Sequence, residues 1–162
     1  MGTGNIVEQF GTDNPHKNKV HKILAHSYFF YFFSFLVGLF FDFIFPIGIF
    51  VNPTMALIGF LFLVFGTFLI IWAQTSSHKL QKENMTKETF CNGPYRYTRS
   101  PTHFGLFFLT IGFGIIVNAL FVIIFTAISF FVTKFIFIKK EEKILAEKYG
   151  APYLEYKKVV KL

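Results

Sequence analysis

The sequence predicts an all-α integral membrane protein: four transmembrane helices, the last two forming a tight C-terminal helical hairpin, followed by a cytoplasmic amphipathic helix. Three observations predict it. Apolar residues make up 53% of the 162-residue chain, with 26 phenylalanines among them, and the mean hydropathy is +0.50. So small a soluble domain has too little interior to hide that much apolar surface. The apolar residues fall into runs near the length that crosses a bilayer. The cations avoid two of the connections between those runs.

Residues 1–22 form a polar N-terminal segment, with Asp13-Asn14-Pro15 as a turn and His16, Lys17, Lys19, His21 and Lys22 as a basic collar. Two spanning helices occupy 23–73. The first runs from Ile23 to Phe41; Asp42 closes it, and Pro46, Gly48 and Pro53 mark a loop. The second runs from Met55 to Ala73, with Trp72 suited to the lipid–water boundary. A cytoplasmic loop covers 74–101. The hairpin covers 102–138, as His103–Val117 and Leu120–Ile138 with only Asn118 and Ala119 between. Its first leg is short for a full crossing and is expected to tilt, sit shallow or begin in the polar layer. The C-terminal segment, 139–162, carries an amphipathic helix from Lys139 to Lys148 that Gly150 and Pro152 end. The Phe-rich runs read as lipid-facing and helix-packing side chains.

Charge sets the orientation. All 16 Lys and Arg lie in the N-terminal segment, the 74–101 loop or the chain from Lys134 onward, and none lies in the 42–54 and 118–119 connections. The positive-inside rule then places both termini and the central loop in the cytoplasm. Lys134, near the end of the fourth span, reaches the interface along its own stem. The formal net charge of +7 is thereby explained without a nucleic-acid partner. A single cysteine, Cys91, excludes an internal disulfide and a multi-cysteine metal site, and no metal is expected. Gly2-Thr3-Gly4 follows no strand and Gly112-Phe113-Gly114 lies inside an apolar run, so neither is a nucleotide-binding turn. The Phe, Ile and Lys bias suggests a bacterial cytoplasmic membrane. No protein partner is indicated.

Two polar segments flank the hairpin. The first is Gly93-Pro94-Tyr95-Arg96-Tyr97-Thr98-Arg99-Ser100-Pro101-Thr102-His103-Phe104-Gly105. The second runs from Glu141 to Lys158 and contains Glu141-Glu142, Tyr149-Gly150, Tyr153 and Tyr156. A tight hairpin makes them neighbours. Arg96 and Arg99 can fork onto a carboxylate or phosphate. Pro101 suits a first helical turn, and the N–H groups from Thr102 to Gly105 can face an anion. Glu141 and Glu142 suit an ammonium or ribose hydroxyls, and the tyrosines can flank a cation. A zwitterionic ligand carrying a sulfonium would use all of these. The same residues also serve as interface anchors and a solvated helix face, and on chemistry alone that plainer reading is the stronger.

Taken in order around the hairpin, the two segments resemble the isoprenylcysteine carboxyl methyltransferase and phospholipid methyltransferase superfamily of integral membrane methyltransferases. The resemblance rests on Gly93, Tyr95, Arg99, Pro101 and Gly105, then Glu141, Glu142, Leu145, Tyr149, Gly150, Tyr153 and Tyr156, and spans roughly residues 55 to 158. It implies S-adenosylmethionine as cofactor and a hydrophobic, lipid-like methyl acceptor entering from the bilayer. By motif position, cofactor contacts would fall on Gly93, Tyr95, Ser100, Pro101, Thr102, His103, Gly105, Glu141, Glu142 and Tyr153. Gln81 and the stretch Lys87 to Phe90 would line the adenosine. Arg99, His103 and Glu142 are the expected catalytic residues, His103 or a glutamate serving as base for an amine acceptor. Ser100 replaces the usual His and His103 the usual Tyr. Phe137 stands where the carboxyl methyltransferases carry an Arg, which argues against prenylcysteine as acceptor. Two other readings stay open: an NADPH-dependent membrane reductase of sterol-reductase type, and a non-catalytic lipid-binding or scaffold protein.

Overall fold

Long apolar runs in lipid must satisfy every backbone N–H and C=O internally, and helices do this within one segment. The structure, a computed structural model, describes residues 15–79 and 90–160, and all regular structure among them is helical. Helix α1 spans Pro15–Ile44 and α2 spans Thr54–Lys79. A 3₁₀ turn, Gly93–Arg96, precedes α3, Pro101–Val117. Helix α4, Leu120–Val132, runs through a π-helical turn, Thr133–Phe137, into α5, Ile138–Tyr149, and α6 covers Ala151–Val159.

Three helical runs are long and apolar enough to cross a membrane: Lys22–Ile44, Thr54–Ser77 and Leu120–Tyr149. Helix α3 is apolar but has only 17 residues, roughly 25 Å of helix. Two boundaries differ from expectation. The amphipathic helix expected from Lys139 to Lys148 is present as α5, Ile138–Tyr149, and it runs on from α4 without a break because no Gly or Pro interrupts the chain between Leu120 and Tyr149. Gly150, at φ 60°, makes the break instead. Pro152 then sits in the first turn of α6, where its missing N–H costs nothing, so it starts a helix and does not merely end one.

The helices pack through two different seams. Between α2 and α3 the seam is glycine. A Cβ on Gly66 would stand 2.5 Å from the Leu109 nitrogen and 2.6 Å from the Gly105 oxygen, and one on Gly112 would stand 2.6 Å from the Gly59 oxygen. Gly59 and Gly66, like Gly105 and Gly112, recur at a heptad interval, so the backbones touch along the interface as small residues allow in membranes. Between α1 and α4 the seam is polar. Ser27, Tyr31 and Ser34 on α1, and Thr126, Ser129 and Thr133 from α4 into the π turn, are all buried, while Gly38 lies against the Val122 backbone.

The ends opposite the polar segments are tied as well. Both Asp42 carboxylate oxygens accept from the start of α4, from Phe121 N–H at 3.0 Å and Val122 N–H at 2.9 Å, where the helix dipole favours an anion. Asn118, left-handed at φ 59°, carries the chain from α3 into α4 within two residues. Its side chain accepts from Ile49 and Phe50 N–H and donates to Phe50 C=O, which fixes the connection before α2. Phe29, Phe32, Phe33, Phe40, Phe60 and Phe68 lie exposed on the outside.

Candidate functional site

The short α3–α4 turn leaves the start of α3 and the α5–α6 region at the same end. Gly93, at φ 58°, lets its turn pack closely on α2: a side chain there would collide with Ser76. Pro94 is buried, and its C=O accepts from Tyr97 and Thr98 N–H. Ser100 then opens α3 with Pro101 as the first helical residue. Its C=O accepts from His103 N–H at 3.2 Å and Phe104 N–H at 3.4 Å. Those two N–H groups, expected to face an anion, are therefore turned into the helix.

Arg99 and Glu142 join the two polar segments. Arg99 Nη1 lies 2.7 Å from Glu142 Oε1 in an ion pair, and Lys157 of α6 reaches Oε2 at 2.7 Å. Glu142 is 8% exposed, and both its oxygens are taken. Glu141, by contrast, has no ion pair among the described residues. Burial pushes the Tyr95 hydroxyl up to about 12, the negative charges of Glu141 and Tyr28 add to this, and hydrogen bonds with Thr102 and Ser77 oppose it. Tyr95 is thus a neutral hydroxyl set among Glu141, Tyr28, Thr102 and Ser77.

One helical turn into α3, His103 is 2% exposed. Its Nε2 lies 2.8 Å from Ser27 Oγ, and the Tyr28 ring centroid is 5.8 Å away. Ser27 Oγ also donates to the Leu24 carbonyl at 3.2 Å. Helix α1 therefore belongs to the site, although nothing in the two motif segments points to it. The signal was present as spacing: Ser27, Tyr31, Ser34 and Gly38 mark one helical face in an otherwise apolar run.

Phe90 and Tyr153 sit in an aromatic knot with Tyr156, their ring centroids 5.2–5.9 Å apart when Tyr149 is included. Tyr156 donates its hydroxyl to Tyr95 C=O at 2.7 Å, so α6 is bolted to the turn before α3. Burial raises the hydroxyl pKa of both Tyr153 and Tyr156; near Tyr153, Glu142 and Glu141 add to it and Arg99 opposes. Gly105 packs on Gly66 and Ile70 of α2. Arg96 is exposed at the end of its turn. Phe137 packs on Phe30 of α1 at 6.0 Å between rings. Gln81 lies outside the described residues, as do Lys87, Glu88 and Thr89. Beside the Arg99–Glu142 pair is a cleft of about 160 Å³, walled by Arg99, Ser100 and Phe104 on one side and by the Phe130–Glu142 run on the other.

The family model for phospholipid methyltransferases matches residues 53–152. The chain belongs to that family. Its apolar helices and this membership make it a membrane methyltransferase by family. Neither a curated protein nor a solved structure matches the chain. The matched region holds Arg99, Glu142, Tyr95 and His103; Ser27, Tyr28, Tyr153 and Lys157 lie outside it.

Proposed function

We propose that the protein transfers a methyl group from S-adenosylmethionine to a hydrophobic, lipid-like acceptor at the cytoplasmic face. In this reading α3 is a short fourth crossing that forms a hairpin with α4, and both termini are cytoplasmic. The observation that carries the proposal is the 2.7 Å Arg99–Glu142 pair, which brings the two polar segments of a methyltransferase-family chain to one buried place.

The donor set fits the cofactor. An amino-acid zwitterion needs a cation for its carboxylate and an anion for its ammonium, and Arg99 and Glu141 offer these. Glu142 positions Arg99 and is itself satisfied. Tyr95 and Thr102 offer hydroxyls, and Tyr28 and Tyr95 offer rings suited to a positive centre. When bound, S-adenosylmethionine supplies a methyl group on positively charged sulfur, already reactive toward a lone pair. The protein's part is then to align the acceptor and keep water out. A carboxylate acceptor needs no base. For an amine acceptor, His103 or Glu141 is the proton-taking group; on His103, Ser27 donates its proton to Leu24 C=O and so accepts from Nε2–H, which leaves Nδ1 as the free ring nitrogen.

The test is calorimetry on the purified protein in detergent, with S-adenosylmethionine, S-adenosylhomocysteine and NADPH. Saturable binding of the first two, abolished in Arg99→Ala while the helical content is kept, supports the proposal. Binding of NADPH alone, or of none of the three by folded protein, refutes it.

A further inference from the structure

The cleft beside Arg99 has a composition that an ion pair with the protein does not explain. Lys134 and Lys139 line it, both exposed, and neither has a carboxylate partner among the described residues. Lys139 instead lies over the Phe135 ring at 5.6 Å. The one carboxylate in the lining, Glu142, is already held by Arg99 and Lys157. Besides Ser100, the remaining surface is apolar: Phe104, Phe130, Phe135 and Ile138.

The π-helical turn, Thr133–Phe137, is what assembles this wall. Phe130 and Phe135, like Lys134 and Lys139, are five residues apart. In an uninterrupted α-helix such pairs diverge by roughly 140°. The wider turn brings them to one face, a use in keeping with the frequent place of π-bulges at functional sites. Helix propensity gives no reason for the wider turn, since no Gly or Pro lies near it. A lysine within an apolar membrane helix normally finds an anion or a polar cavity.

We infer that the cleft between α3 and the α4–α5 run is a lateral binding site for an amphiphile with a negatively charged head. The head lies between Lys134 and Lys139, and the hydrocarbon lies along Phe104, Phe130 and Phe135. A zwitterionic head would bring its own cation against two lysines that have no carboxylate partner among the described residues, and is disfavoured. A free inorganic anion would leave four apolar side chains uncovered. The exposed Phe135 puts the opening on the bilayer side. The identification of this occupant with the methyl acceptor rests on the methyl-transfer reading above; the binding site does not.

The experiment is native mass spectrometry of the full chain in a neutral detergent, titrated with dioleoyl phosphatidylglycerol or dioleoyl phosphatidylcholine. The anionic lipid should be retained at least about tenfold more strongly, each lysine near an anionic head contributing severalfold. The double variant K134Q/K139Q should fall to the phosphatidylcholine level. The control K140Q/K143Q removes two exposed lysines of the same helix that do not line the cleft, and should keep the preference. No preference in the parent protein overturns the inference. Equal loss in both double variants also overturns it, by showing general surface attraction. Displacement of the lipid by equimolar glycerol phosphate would show a phosphate site and no amphiphile site. Calorimetry with S-adenosylmethionine on the same samples separates the two proposals: lipid preference without cofactor binding leaves this site standing and removes its role as acceptor site.

Discussion

Glu142 holds two cations of unequal burial, and that inequality gives a sharp prediction. The Arg99 and Glu142 side chains are 18% and 10% exposed, whereas Lys157 is 43% exposed. Breaking a buried pair strands its partner and costs about 3–5 kcal/mol, while an exposed pair is worth about 0.2–1 kcal/mol. Lys157 stays on the second oxygen when Arg99 is removed, so Arg99→Gln should sit at the low end, about 3 kcal/mol. Lys157→Gln should cost about 0.5 kcal/mol. Because the damage in Arg99→Gln is mostly the stranded carboxylate, adding Glu142→Gln should recover part of it. The assay is unfolding in mixed micelles of rising dodecyl sulfate fraction, read from emission of Trp72. It is the one tryptophan of the chain, and its indole nitrogen lies against Gly93, in the turn that leads to Arg99. Equal losses for Arg99→Gln and Lys157→Gln, or strictly additive effects of the Arg99 and Glu142 changes, would refute the reasoning.

The glycines separate contact from conformation. Gly66→Ala puts a Cβ against the α3 backbone and should cost about 1–3 kcal/mol, whereas Gly150→Ala meets nothing within 4 Å and should cost a similar amount, about 1–3 kcal/mol, from backbone strain alone at φ 60° and ψ −133°; the same unfolding assay measures both. Ser27→Ala removes the partner of the His103 Nε2, and the buried nitrogen left behind should cost about 1–3 kcal/mol. Thermal unfolding checks it, and Ser27→Thr, which keeps a hydroxyl, should recover more than half. Burial raises Tyr95 from 10.0 to about 12, so its neutral form stabilises the fold. That contribution should be complete below pH 10 and disappear as pH climbs toward 12. In Tyr95→Phe the alkaline loss should be smaller, which circular dichroism against pH would show.

Most of the architecture was legible because a bilayer leaves few choices. Run length gave the helices, and the cation distribution gave a proposed orientation. The π turn was not legible: Thr133 to Phe137 reads as helix on propensity and periodicity, and a one-residue change of winding leaves composition untouched. Helix α6 was hidden because Pro152 reads equally as a stop signal and as a first-turn residue. Gly93 to Gly105 and Glu141-Glu142 marked the site because polar residues beside spanning helices need a reason. Ser27 and Tyr28 did not stand out, since one serine in an apolar helix is ordinary and only its partner, 76 residues away, gives it meaning. Gly105 illustrates the converse. Its place in a motif suggested a ligand, yet its neighbours are Gly66 and Ile70, and helix contact alone accounts for a glycine there.

The two seams divide the work of holding the site. The α2–α3 interface is backbone against backbone at its glycines, flanked by the Phe62–Phe108 and Phe65–Phe108 ring contacts. The α1–α4 interface combines the buried hydroxyls of Ser27, Tyr31, Ser34, Thr126 and Ser129 with the Phe41–Phe121 and Phe41–Phe125 ring contacts. At the end nearest the two polar segments the hydroxyls meet His103 through Ser27, and at the other end Asp42 holds the start of α4. The cleft opens between these two units, where α3 faces the π turn. Helix α1, outside the matched region, thus supplies the buried histidine's hydrogen-bond partner through Ser27.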